Sequence, residues 1–190
     1  MEALFVSTGV VALAEIGDKT QLLAFILAAR FKRPLPIIIG IFAATIVNHG
    51  LAGALGAWIT TVLSPSLLHW VVGLSFIAMA IWVLIPDKLE QEEMQLANRL
   101  GVLGATVVTF FLAEMGDKTQ IATITLAAHY TQPVMVVAGT TLGMLIADVP
   151  AVFVGDKFSR KIPMKLVRGA AAALFAIIGV LTLVRLDLWV

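Results

Sequence analysis

The sequence predicts an all-α integral membrane protein whose six transmembrane helices form two inverted-topology repeats of three helices each. Three observations carry this reading. Apolar residues make up 60% of the chain and charged residues 13%, and the mean hydropathy is +1.00, a composition foreign to soluble domains. Long apolar stretches cover 3–29, 34–62, 66–86, 100–128, 133–155 and 165–186, each near or above the ~20 residues that a spanning helix needs. Finally, sliding the chain by 99 positions sets Ala28-Ala29 on Ala127-Ala128, Pro34 on Pro133, Gly40 on Gly139 and Gly56 on Gly155. Alternation over ~10-residue segments, the mark of a membrane barrel, is absent.

Taken in order, the first stretch follows Glu2 with no basic cluster before it, so it reads as a retained helix and not a cleaved signal. Arg30, Lys32 and Arg33 separate it from the second, and Ser64-Pro65-Ser66 turns the chain into the third. The linker 87–98, opening Asp87-Lys88-Leu89-Glu90-Gln91-Glu92-Glu93, is polar and acidic and reads as a solvated connector; Lys88 and Arg99 flank the entry to the fourth stretch. Tyr130-Thr131-Gln132 leads to the fifth, and Lys157, Arg160, Lys161, Lys165 and Arg168 precede or open the sixth. The expected organisation is therefore repeat one over 1–86, the linker over 87–98 and repeat two over 99–190. Basic residues fall in alternate connections, so the positive-inside rule places those connections in the cytoplasm and both chain ends on the outer side. Three helices per repeat is an odd number, so the second repeat enters the membrane the opposite way up, as in many secondary transporters.

Each repeat carries the same charged motif within its first apolar stretch: Ala14-Glu15-Ile16-Gly17-Asp18-Lys19-Thr20-Gln21, then Ala113-Glu114-Met115-Gly116-Asp117-Lys118-Thr119-Gln120. Ionisable groups at such depth cost at least about 2.5 kcal/mol each on insertion scales and mark ion or proton pathways by default. If the helices run through, Glu15 and Asp18 share a face, as do Glu114 and Asp117, and the inverted repeats can bring all four carboxylates to one centre. Oxygen donors of this kind suit a hard divalent ion such as Mn²⁺, Ca²⁺ or Mg²⁺. With no cysteine in the chain, thiolate ligands and disulfides are excluded. Gln21 and Gln120 are expected as neutral oxygen ligands, with Thr20 and Thr119 beside them. Gly17 and Gly116 weaken the helix and permit a local break. Lys19 and Lys118 lie four residues after a glutamate and can pair with it along the helix, or snorkel away.

A structural alternative makes Glu15/Lys19 and Glu114/Lys118 helix fasteners, but the added aspartate and glutamine exceed what a fastener needs. Four carboxylates and two ammonium groups sum to −2, which one divalent cation neutralises; protons replacing a departing metal would give antiport. Asn48 and His49 in the second stretch, and Asp148, which the 99-residue shift sets on His49, add a second polar layer for supporting or proton-coupling roles. His49 serves equally well as a helix–helix hydrogen-bonding group. Ser7 and Thr106 are paired by the same shift and suit a vestibule, while Gly50, Gly53, Gly56, Gly139 and Gly143 suggest close helix packing.

Two copies of Glu-x-Gly-Asp-Lys-Thr, six apolar stretches and an acidic central linker closely resemble the Gdt1 family of cation transporters, over nearly the whole chain and with neither copy departing from the family pattern. The resemblance implies a manganese or calcium transporter whose bacterial members export manganese, with proton exchange as the expected coupling. It implies a cation site of Glu15, Asp18, Glu114 and Asp117, supported by Thr20 and Thr119. No long targeting extension precedes the first stretch, which favours a bacterial inner-membrane protein. The expected activity is secondary active export of Mn²⁺, and of Ca²⁺ as a second substrate, with the metal as cargo and no prosthetic group or nucleic-acid partner. Two alternatives are a passive divalent-cation channel and an intramembrane lipid pyrophosphatase. The enzyme requires arginine near the acidic motifs to hold phosphate, and neither motif contains one.

Overall fold

The computed structural model describes residues 1–85, 100–130, 132–154 and 164–184, and the linker 87–98 lies outside them. All regular structure among the described residues is α-helical: α1 Glu2–Glu15, α2 Lys19–Phe31, α3 Pro34–Val62, α4 Pro65–Trp82, α5 Gly101–Glu114, α6 Lys118–Tyr130, α7 Pro133–Val154 and α8 Met164–Leu183. Pro34–Val62, Pro65–Trp82 and Pro133–Phe153 are long and apolar enough to cross a membrane; Gly101–Glu114 and Arg168–Leu183 are shorter apolar helices.

The stretches 3–29 and 100–128 are each divided in two at the charged motif, where Gly17 and Gly116 were expected to permit a local break. Ile16 and Met115 turn the backbone to extended values (ψ 113° and 122°), and the next residues, Gly17 and Gly116, take φ of 82° and 75°. That left-handed region is open to glycine at little cost and strains residues with a Cβ. Glycine thus decides where the helix stops. Other boundaries follow ordinary chemistry: Pro34 and Pro65 open α3 and α4, where the missing N–H costs nothing, and the Ser64 hydroxyl accepts from the Leu67 N–H at 3.4 Å.

The helices pack so that contacts between the halves recur with the halves exchanged. Gly40 of α3 faces the Leu103 carbonyl and Thr106 of α5, and Gly139 of α7 faces the Leu4 carbonyl and Ser7 of α1. These sets correspond residue for residue under the 99-residue shift. Gly53 and Gly143 are also close-approach positions, whereas Gly50, expected to be one, has open space around it. The third helices of the halves pack on each other, with Gly73 against Leu183 and Gly179 against Ile77. A Cβ at Gly139 would lie 2.5 Å from the backbone oxygen of Leu4, which no rotamer change can relieve. Gly139→Val is therefore expected to destabilise the fold by about 1–3 kcal/mol, read as a lowered melting temperature in detergent; an unchanged midpoint would contradict this packing.

Two apolar clusters form the core, one around Phe76, Met79, Leu126 and Phe175 and including Ala14, the other around Leu23, Ile37, Ile41 and Phe110 and including Ala113. Phe5, Trp58, Ile81 and Phe153 point outward, while Ser7, Thr45, Asn48, His49, Thr106, Thr109, Thr140 and Asp148 are buried. Water would favour the reverse. A hydrocarbon surround accepts the outward aromatics and aliphatics and drives polar groups to the bundle interior.

Candidate metal centre

Both motifs fold into the same small device. At the end of α1 the Glu15 carbonyl accepts from the Asp18 N–H at 2.9 Å, and at the end of α5 the Glu114 carbonyl accepts from the Asp117 N–H at 3.2 Å. The hydroxyl of Thr20 donates to Oε2 of Glu15, and that of Thr119 donates to Oε2 of Glu114 at 2.7 Å. The amide oxygen of Gln21 accepts from the Gly17 N–H at 2.9 Å, and that of Gln120 accepts from the Gly116 N–H at 2.8 Å. Each break thus satisfies backbone groups that a continuous helix would have paired internally.

The glutamine nitrogens then tie each break to the other half. Gln21 Nε2 donates to the Ala147 carbonyl of α7 at 2.9 Å, and Gln120 Nε2 donates to Asn48 Oδ1 of α3 at 2.9 Å. Ala147 and Asn48 correspond under the 99-residue shift. Gln21 and Gln120, expected as metal ligands, therefore have both ends of their amides engaged as braces. The lysines are placed otherwise than the helical spacing predicts. Lys19 does not lie along a helix from Glu15, because the break intervenes; its Nζ is 3.9 Å from Asp117 Oδ2, and Lys118 Nζ is 3.6 Å from Asp18 Oδ1. Lys118 also donates to the Ile85 carbonyl at 3.1 Å.

One carboxylate oxygen each from Glu15, Glu114 and Asp117 lie within 4.8 Å of one another, and all three side chains are buried. The threonine hydroxyls occupy Oε2 of both glutamates and leave Oε1 of each, buried, with no hydrogen-bond partner. Two oxygens at ~2.3–2.6 Å from a shared ion stand at most ~5 Å apart, so a group within 4.8 Å is near the spacing to which a hard divalent cation draws its ligands. Asp18, expected as a fourth member, is outside this group and is held by Lys118. Asp148 is fully buried on α7, neither of its oxygens has a hydrogen-bond partner, and it is near enough to Glu15 and Glu114 to act on them electrostatically. His49, its counterpart on α3, is equally buried, with both ring nitrogens unpartnered.

Sequence reasoning missed Arg168. Counted only among the basic residues that precede or open the sixth stretch, it reaches across from α8 and donates through Nη2 to the Gly17 carbonyl at 3.3 Å. An arginine therefore does stand at the first motif, but its partner is a backbone carbonyl freed by the break. The duplicated glycine was the available signal, since a broken helix must find donors for its last carbonyls.

The sequence model of the family described as divalent cation/proton antiporter GDT1 matches residues 3–91 and 102–187. The chain belongs to the GDT1 family. A protein of Vibrio cholerae named "Putative manganese exporter" is 50% identical over 183 residues, covering 96% of this chain and 90% of its own. GDT1-like protein 3 of rice (Oryza sativa subsp. indica) is 29% identical over 200 residues, covering 92% of this chain and 71% of its own. GDT1-like protein 5 of Arabidopsis thaliana is 28% identical over 209 residues, covering 90% of each. No solved structure matches the chain. Membership in the GDT1 family makes this a membrane protein of a cation-transporting class, and the paired motifs that form the buried carboxylate cluster both lie within the matched segments.

Proposed function

We propose that this protein exports Mn²⁺, with Ca²⁺ as a second substrate, in exchange for protons, by alternating access around a metal site shared by its two halves. The observation that carries the reading is the buried triad of Glu15, Glu114 and Asp117, drawn from both motifs, with unpartnered oxygens on both glutamates. Cysteine and histidine ligands are missing from that triad, which suits a hard cation over zinc or copper. Asp18, the fourth motif carboxylate, is paired with Lys118 outside the triad; Thr20 and Thr119 orient the glutamates, and Gln21 and Gln120 brace the breaks. Asn48 supports Gln120, and Asp148 and His49 form the second polar layer through which protons reach the site.

In this reading α1 with α2 forms one span and α5 with α6 another, so that α3, α4, α7 and α8 complete six. The repeats, 1–86 and 99–190, enter a bacterial inner membrane in opposite senses with both chain ends outside. The exchanged contacts of Gly40 and Gly139 support a twofold relation between the halves. Protons can replace a departing metal because carboxylates at this depth are costly to leave ionised and unpaired.

The test is Mn²⁺ flux in proteoliposomes with and without an imposed pH gradient, with Ca²⁺ and Mg²⁺ compared. Gradient-driven uphill movement of Mn²⁺ is the expected result. Equal flux without the gradient would make the protein a channel, and no flux of any cation would refute the transport reading.

A further inference from the structure

The motifs are the same in sequence from Gly17 to Gln21 and from Gly116 to Gln120, yet their lysines are held differently. Lys118 is anchored: its side chain is 3% exposed, the Ile85 carbonyl accepts from its Nζ at 3.1 Å, and Asp18 stands 3.6 Å away. Lys19 is looser, with a side chain 17% exposed and Asp117 at 3.9 Å. The aspartates sort the same way. Asp117, beside the looser lysine, belongs to the carboxylate triad; Asp18, beside the anchored one, does not.

An ammonium group and a divalent cation repel, so a metal bound at Asp117 and an ammonium on the same carboxylate oppose each other directly. Lys19 is also near enough to Glu114, a second member of the triad, to act on it electrostatically. Its partial exposure gives the flexible stem a direction in which to withdraw, which Lys118, pinned by a carbonyl, lacks. We propose that Lys19 is a tethered counter-ion for the cation site: it neutralises Asp117 when no metal is bound, yields that carboxylate to the incoming ion, and by its return lowers affinity enough to release it. Lys118 is the fixed counterpart that keeps Asp18 out of the triad.

This rests on the triad being the cation site. A counter-ion on the same chain acts at every cycle, beside the protons that replace the metal.

The test is equilibrium binding of Mn²⁺ to the purified full-length protein in detergent, followed by the loss of the free-Mn²⁺ electron paramagnetic resonance signal, with the melting temperature recorded in parallel. Lys19→Met is expected to bind Mn²⁺ about tenfold more tightly than wild type, the size of one interaction with a charged group, and to transport more slowly at saturating Mn²⁺ because release is slowed. Lys19→Arg, which keeps the charge, is expected to stay near wild-type affinity. If Lys19→Met does not fold, Lys19→Gln carries the same expectation. Wild-type binding with unchanged or weaker binding by the neutral variants would overturn the competitor role alone, and would mark Lys19 as a helix fastener. No Mn²⁺ binding by wild type would overturn the cation-site reading and this role with it.

Discussion

Glu114→Gln is expected to reduce Mn²⁺ flux in proteoliposomes by about a hundredfold or more, and Glu15→Gln by as much. Loss of groups that merely orient metal ligands costs 10–100-fold in metal affinity, so loss of a ligand charge sets a larger expectation. The two glutamates are equivalent in geometry: each ends a helix, takes a threonine hydroxyl on Oε2 and leaves Oε1 buried without a partner. Glutamine keeps the size and the hydrogen bond from threonine while removing the charge. The variants should therefore fold and melt near wild type while losing transport. Flux within about threefold of wild type for either variant would exclude that glutamate as a ligand by the same measure.

Gly116→Val is expected to lose most transport without any steric cause. A Cβ built at Gly116 meets nothing within 4 Å, so the substitution is felt through the backbone alone, at φ of 75°. Left-handed backbone costs an ordinary residue roughly 1–2 kcal/mol, and a β-branched one more. The relief open to valine is to straighten the break, which would pull the Gly116 N–H from the Gln120 amide oxygen and shift Asp117 away from the two glutamates. Asparagine tolerates the left-handed region, so Gly116→Asn is expected to keep substantial flux where Gly116→Val does not. Equal loss in both variants would mean that the glycine serves a role other than its backbone conformation.

The sequence displays the helical class, the long apolar stretches and the paired motifs because these rest on composition and spacing, which need no knowledge of contacts. The acidic motifs were legible for the same reason: charge inside apolar sequence stands out wherever the chain goes. What spacing could not reveal depends on the break at Gly17 and Gly116. An i to i+4 pairing of Glu15 with Lys19 assumes a continuous helix; once the glycine turns the chain, the lysine faces the other half and meets Asp117. Gln21 and Gln120 look like ligands in a linear motif, yet the break creates backbone N–H groups that claim their amide oxygens first. Arg168 was hidden for a related reason, since it is separated from Gly17 by most of the chain and its target carbonyl lies in the break. The choice of Asp117 over Asp18 for the triad has no counterpart in the motif at all. The halves differ outside the motif, where the Ile85 carbonyl accepts from Lys118.

A single cation shared between the motifs would show itself in the number of Mn²⁺ ions bound per chain. Wild type is expected to bind a single Mn²⁺, and either Glu15→Gln or Glu114→Gln alone should abolish that binding, because both glutamates reach the same ion. Two ions per wild-type chain, with each substitution removing one and sparing the other, would show that every motif holds its own metal and would contradict a shared site.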